Sequence, residues 1–145
     1  MIRYSPMDEN YESRIRSSFE KQGIMQTIGG QLLKVEPEEV HIEFPFADAL
    51  TQQHGFIHAG ILTTVVDSAC GYAASTLMPS ESEVLTVEYK VNFISPAKGE
   101  KFIAIGRVFK PGRSLTVCSG EVLVKEESGY KTVVLMQTTM MTIIR

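Results

Sequence analysis

The period of apolar and polar positions changes twice along the chain and divides it into three parts. The first opens on a short amphipathic stretch. Asp8 is placed to cap a helix running to about Gln22, Ile15 and Phe19 sit four apart on one face of it, and Gly23 is a natural terminator. Gln31–Glu36 and residues 40–44 then alternate on either side of Pro37-Glu38-Glu39, the pattern of a hairpin. Residues 47–57 have no steady period and read as a loop.

The second part, residues 59–77, predicts a helix buried nearly all round that stops before Pro79. Its broad apolar face carries Ile61, Leu62, Val65, Val66, Ala69, Cys70, Ala73, Ala74 and Leu77. The other side, Thr64, Ser68, Gly71 and Ser75, is small rather than charged. Small residues there ease packing within one chain or admit a second copy of it, and homodimers are the commonest oligomers. The third part has period two. Residues 84–94 put Leu85, Val87, Tyr89, Val91 and Phe93 on one face and Thr86, Glu88, Lys90 and Asn92 on the other, as in a half-buried antiparallel strand. Turns at Ser95-Pro-Ala-Lys-Gly99, Pro111-Gly-Arg-Ser114 and Glu127-Ser-Gly129 separate three further strands over 101–109, 115–125 and 130–144. An α+β fold satisfies this order: one curved antiparallel sheet wrapped around one long central helix.

Composition narrows the classes. With 145 residues the chain holds one domain, and a net charge of −3 argues against a general nucleic-acid-binding face. Asp67 and its Thr and Ser neighbours interrupt the best candidate for a membrane span, so no membrane partner is expected. Met1 to Glu9 lacks the apolar core of a signal peptide, which makes cytoplasm the expected location. Cys70 and Cys118 have no metal-ligand spacing and are expected to be reduced thiols. His41 alternates with apolar neighbours and is expected to be exposed.

Asp67 changes the picture. It is the one ionisable acid or base between His58 and Glu81 apart from tyrosine and cysteine, and it sits inside the apolar helix. Desolvation disfavours a lone carboxylate there, so the group is either satisfied structurally or kept for chemistry. Just before the helix stands Gln52-Gln-His-Gly-Phe-Ile-His-Ala-Gly60. The first backbone N–H groups of the helix, from Ala59, are free to receive a polarised oxygen, and Gln52 and Gln53 could add amide donors. His58 either holds this loop or touches a ligand. His54, His58 and Asp67 also allow a two-histidine, one-carboxylate metal site, although Gly55 places the histidines in a loop. Ala59 and Asp67 are eight residues apart, roughly 12 Å along a helix axis, too far for one small reacting centre. If both serve one reaction, they come from two subunits related by a twofold axis.

Gln52-x-x-Gly55-x-x-His58-Ala-Gly60-x6-Asp67, with Thr86-Val-Glu-Tyr-Lys-Val-Asn-Phe-Ile-Ser-Pro-Ala97 after it, resembles the hotdog-fold acyl-CoA thioesterases, nearest the phenylacetate-degradation (PaaI-type) group. The resemblance covers roughly Leu32 to Ile144 and implies that the single domain over residues 1–145, with residues 1–23 as an N-terminal helical segment, is a hotdog thioesterase domain. It implies Asp67 as nucleophile or general base, Gln52 and the Ala59 N–H as the donors to the thioester carbonyl, and Thr86 as an aid to the attacking water. His58, Gln53, His54 and Gly60 would surround the thioester. The turn containing Arg113 and Ser114 resembles a phosphate-contacting loop, and Lys98 is a second cation for coenzyme A. The only cofactor implied is coenzyme A as part of the substrate, with no metal; the assembly implied is a homodimer or a dimer of dimers. The chain departs from the family at Ala59, where glycine is usual, and at Thr86, which strand parity puts opposite the Leu85 row. Phe56, Tyr72 and Met78 are candidates for the acyl pocket, although for Tyr72 aromatic core filling is the first expectation. Two alternatives stay open: a hotdog hydratase or dehydratase, and a non-catalytic acyl-CoA-binding module.

Overall fold

The computed structural model describes residues 2–145. Two short helices, α1 (Tyr11–Glu20) and α2 (Gly23–Ile28), precede the hairpin of β1 (Gln31–Glu36) and β2 (Glu39–Pro45). The loop that follows holds a 3-10 turn, Asp48–Leu50, and leads into α3 (Ala59–Ser75). Four strands complete the chain: β3 (Ser82–Phe93), β4 (Lys101–Lys110), β5 (Leu115–Glu126) and β6 (Gly129–Ile144). All six strands form one antiparallel sheet in the order β1-β2-β4-β5-β6-β3, and α3 lies across its inner face against β2, β3, β4, β5 and β6.

The helix sits there because it is apolar where the sheet is. Val65, Val66, Ala69, Cys70, Ala73 and Ala74 pack with Val40, Ile42, Phe44, Phe102, Ala104, Cys118, Val122 and Met140 in one core. A notch lets the helix approach closely. Gly106 on β4 and Gly120 on β5 are directly paired, and a Cβ on Gly106 would lie 2.3 Å from the Ala69 carbonyl carbon, one on Gly120 2.7 Å from Cys70 Sγ. Both thiols are buried and burial raises their pKa, Cys118 to about 12, so neither is a ready thiolate.

Four expectations need correction. The N-terminal helix is two helices: Asn10, not Asp8, precedes α1, and Gly23 opens α2 rather than closing α1. Asp8 is drawn elsewhere, accepting from Asn10 N and Arg14 Nε, while the Arg14 guanidinium continues to Ser75 Oγ at 2.8 Å. Half of the small side of α3 is thus used within the chain, Ser75 by Arg14 and Gly71 against Val84 and Met140, while Thr64 and Ser68 stay half-exposed. His41 is not exposed but half-buried, its Nε2 2.6 Å from Glu39 Oε1.

The fourth correction concerns β3. Thr86 pairs with Met140 and Glu88 with Thr139, so Val87 is an extra residue without a partner on β6. This bulge shifts the side-chain alternation by one. Thr86 therefore shares the inner face with Tyr89, Val91 and Phe93, whose partners Thr138, Met136 and Val134 are buried, and Leu85 faces outward. As the free edge of the sheet, β3 is also more open than a half-buried strand: Leu85, Val87, Tyr89 and Phe93 are 46–57% exposed.

Candidate active site

His58 marks the start of α3. Its backbone is extended, its N–H donates to Leu50 O at 2.9 Å, and its Nδ1 accepts from Gly60 N at 2.8 Å. The ring therefore caps the helix and occupies the Gly60 amide, which leaves Ala59 N–H without an acceptor among the described residues. Gln52 is anchored through Oε1, which accepts from His54 N and from Phe56 N at 3.3 Å. Its Nε2 has no acceptor among the described residues. Gly55 takes φ of 85° in this turn, a conformation that costs glycine little. Gln52 and Ala59 share an apolar groove with Phe56, Leu62, Phe93 and Pro96. Gln53 and His54 are exposed on the turn, and His54 enters the Gln52 network only through its backbone N–H.

Asp67 opens into a different cleft, of about 220 Å³, walled by Ser18, Gln22, Ser68, Tyr72, Val84 and Thr86. Thr86 Oγ1 donates to Asp67 Oδ1 at 2.8 Å, a contact that the β3 bulge makes possible. Burial raises the carboxyl pKa above its ordinary value and the Thr86 bond holds it down; among the described residues no cation pairs with it. The result is a partly desolvated carboxylate, oriented by one hydroxyl, with its other oxygen left for a substrate or water.

The remaining predicted residues lie apart from Asp67 within one chain. Arg113 and Ser114, in the β4–β5 turn, border a separate cleft with Leu77, Met78 and Pro79, at the far end of α3 from Ala59. Lys98 Nζ stands 6.0 Å from the centre of the Phe56 ring, on the side of the helix start. The Tyr72 ring packs in the core against Phe19, and the residue also lines the Asp67 cleft. Ser18, Gln22 and Ser68 line that cleft as well, and the sequence did not mark them as site residues: Ser68 was read only as part of the small side of α3 and Gln22 only as a helix end. Nothing in the local pattern around Ser18 and Gln22 points across to α3, because their proximity comes from the turn between α1 and α2.

Residues 54–130, more than half of the chain, match the model of the thioesterase superfamily. A solved thioesterase family protein from Silicibacter pomeroyi is 46% identical, with a TM-score of 0.91 over 93% of this chain and 99% of that one. A Saccharolobus solfataricus protein provisionally named an esterase is 32% identical over 72% of this chain and 69% of its own length. Mouse acyl-coenzyme A thioesterase 13 is 27% identical over 79% of this chain and 83% of its own. The Escherichia coli PaaI protein shares the fold, with a TM-score of 0.81 at 17% identity over 92% of this chain and 94% of that one. The chain belongs to the thioesterase superfamily, a class of thioester hydrolases, and its sheet-wrapped helix is the hotdog fold. Among the described residues no helix is long and apolar enough to cross a membrane.

Proposed function

We propose that the protein hydrolyses acyl-CoA thioesters in a homodimer, with Asp67 of one protomer acting at the α3 N-terminus of the other. The observation that carries this reading is the separation of two half-sites in one chain. The carboxylate occupies one cleft, the unused Ala59 N–H and Gln52 Nε2 border another, and no residue lines both. The exposed apolar edge of β3 and the half-exposed Thr64 and Ser68 on α3 offer a surface for a second copy. The curated relative named as an acyl-coenzyme A thioesterase supports the substrate class.

The thioester carbonyl oxygen rests on Ala59 N–H with Gln52 Nε2 beside it. These donors strengthen as negative charge develops on that oxygen. Asp67 either attacks the carbonyl carbon directly or takes a proton from a water that does so; Thr86 keeps the carboxylate aimed. Collapse of the tetrahedral intermediate breaks the carbon–sulfur bond and releases coenzyme A as the thiolate. In the water route the free acid leaves with it. After direct attack, a water then cleaves the mixed anhydride left on Asp67, freeing the acid and the carboxylate. His58 acts through the loop and helix start that it holds. Arg113, with Ser114 beside it, and Lys98 supply positive charge for the phosphates of coenzyme A in a chain that is acidic overall. No resident metal or organic cofactor enters this scheme.

Thiol release from a panel of acyl-CoAs tests it. Asp67→Asn should lower kcat by about 10²–10⁴, the usual loss for a positioned base, without changing the assembly state. Co-refolding Asp67→Asn with a variant inactive at the helix start should restore a fraction of activity in mixed dimers. Near wild-type turnover by Asp67→Asn refutes the assigned role, and no recovery despite proven subunit exchange refutes the shared site.

A further inference from the structure

The cleft that holds Arg113 has a wall that the chemistry at Asp67 does not use. Arg113 and Ser114 line one side, Leu77 and Met78 at the end of α3 line another, and Met7 from the N-terminal segment lines a third. Among the described residues no carboxylate pairs with Arg113. The cleft measures about 370 Å³, more than twice the ~150 Å³ that accepts benzene, which is room for a purine and part of its sugar.

Met7 is 72% exposed, and one exposed apolar side chain needs no explanation by itself. Its flanks do. On one side the Glu38 carboxylate accepts from Arg3 N, from Tyr4 N at 3.1 Å and from Arg3 Nε at 3.2 Å, and Arg3 Nη2 donates to Val108 O at 2.6 Å. On the other side Asp8 accepts from Arg14, which donates in turn to the Met78 carbonyl at the rim of the same cleft. Residues 3–8 are therefore a strap clamped at both ends, and Pro6 restricts the chain between the clamps.

Glu38 is an uncommon choice for its place. It is buried in the β1–β2 turn with φ 74°, a conformation that favours glycine or asparagine. Its N–H donates to Thr76 Oγ1 at 2.9 Å, just past α3, and its carbonyl accepts from Val108 N at 2.8 Å. The turn alone would be served by glycine. A buried carboxylate there costs free energy unless it is paired, and among the described residues only the strap pairs it. One residue thus ties the strap to the end of α3 and to β4 just before the Arg113 turn.

We infer that this strap closes the coenzyme A site at its nucleotide end: Met7 packs on the adenine while Arg113 holds the phosphates, and Glu38 is the positioning residue that sets Met7 in place. Ala74 at the cleft is seven residues beyond Asp67, roughly 10 Å along the helix, a gap the pantetheine arm spans. This rests on the proposal that the substrate is an acyl-CoA.

The test compares kcat/KM for an acyl-CoA and for the same acyl group on N-acetylcysteamine, a thioester without the nucleotide. Met7→Ala should lower the ratio of the two about two- to tenfold, the range for a methionine sulfur on an aromatic ring. The loss should fall on KM, and the inhibition constant of free coenzyme A should rise by the same factor. Glu38→Asn suits the left-handed turn but is too short to hold the strap. It should lower the ratio in the same way, and the double variant should fall no further, since both changes act through Met7. Should Glu38→Asn fail to fold, Met7→Ala, a change at an exposed side chain, decides. An unchanged ratio for Met7→Ala overturns the inference, and multiplied losses in the double variant overturn the role of Glu38; both leave the thioesterase reading standing. Absence of thiol release from every acyl-CoA by the wild type would instead overturn that reading, and this inference with it.

Discussion

Replacing Ala59 by proline removes the backbone donor of the proposed carbonyl site and leaves the Gln52 amide in place. Proline deletes the backbone N–H and keeps everything else that matters locally. The first helical position tolerates it, because that N–H has no partner inside the helix. The residue before a proline must be extended, and His58 already is, with φ −60° and ψ 137°. Ala59 is exposed, so the ring meets no packed neighbour, and its carbonyl still accepts from Thr63 Oγ1 at 2.9 Å. The Gly60–His58 cap is untouched. Removing one such donor costs about 10²–10³ in kcat, about 2.7–4 kcal/mol of transition-state stabilisation. Because the donor acts on charge that develops during reaction, KM should change little. Folding should not suffer; restricting the unfolded chain is worth about 0.4–1 kcal/mol, so Tm should stay level or rise by about 1–4 °C. Thiol release and thermal unfolding on the same sample separate the two effects. Ala59→Gly, which keeps the amide, should retain turnover. A proline variant that folds natively and turns over within threefold of wild type would refute the role of this amide. A variant that unfolds would refute the account of the helix start.

Two further outcomes follow from particular contacts. Burial raises the Asp67 pKa and the Thr86 hydrogen bond opposes it, so the acid limb of kcat/KM should lie above the ordinary carboxylate value of 3.8, and Thr86→Val should move it to higher pH; an unmoved limb in a pH–rate profile would exclude Asp67 as its source. The sign for stability follows: the folded state holds this proton more tightly, so Asp67 lowers stability as pH rises from its unfolded toward its folded pKa, and Asp67→Asn should be at least as stable as wild type at pH 7 in thermal unfolding. Gly106→Ala would press a methyl against the Ala69 backbone, which cannot rotate away, and overpacking of this kind costs about 1–3 kcal/mol or more. The drop in Tm should be roughly 2–12 °C, and an unchanged Tm would mean that α3 does not seat in the Gly106–Gly120 notch.

Period and punctuation carried most of the fold. The alternation over β1, β2, β4, β5 and β6 and the apolar run of α3 are local signals, and each emerged within two residues of the element found. The single-helix reading of the N-terminus failed because glycine serves both ends of helices. Gly23 begins α2, while Gly29, at φ 81°, supplies the left-handed stop. The Gly106–Gly120 notch was invisible for another reason: its meaning depends on which strands become neighbours, and residues so far apart show no joint pattern. The same holds for Gln22, whose partner Tyr72 is fifty positions away.

Thr86 shows most clearly how the site exceeds the pattern. Strict alternation assigns it to the face away from the helix, where it could never reach Asp67. One unpaired residue, Val87, reverses that assignment and leaves the strand beyond it with its aromatic positions, Tyr89 and Phe93, still facing inward. A bulge at this point thus serves two needs at once: it aims a hydroxyl at the carboxylate and keeps an apolar inner face along the free edge. Neither need can be read from residues 84–94 alone, since both are defined by α3 and by β6. Deleting Val87 would restore regular pairing on one side of the bulge only by turning the other side over. Either Thr86 would leave Asp67, or the inner row of Tyr89, Val91 and Phe93 would face outward. The edge strand and the carboxylate are therefore linked by one backbone irregularity, and on the dimer reading the strand that aims the catalytic acid also carries the edge presented to the second protomer.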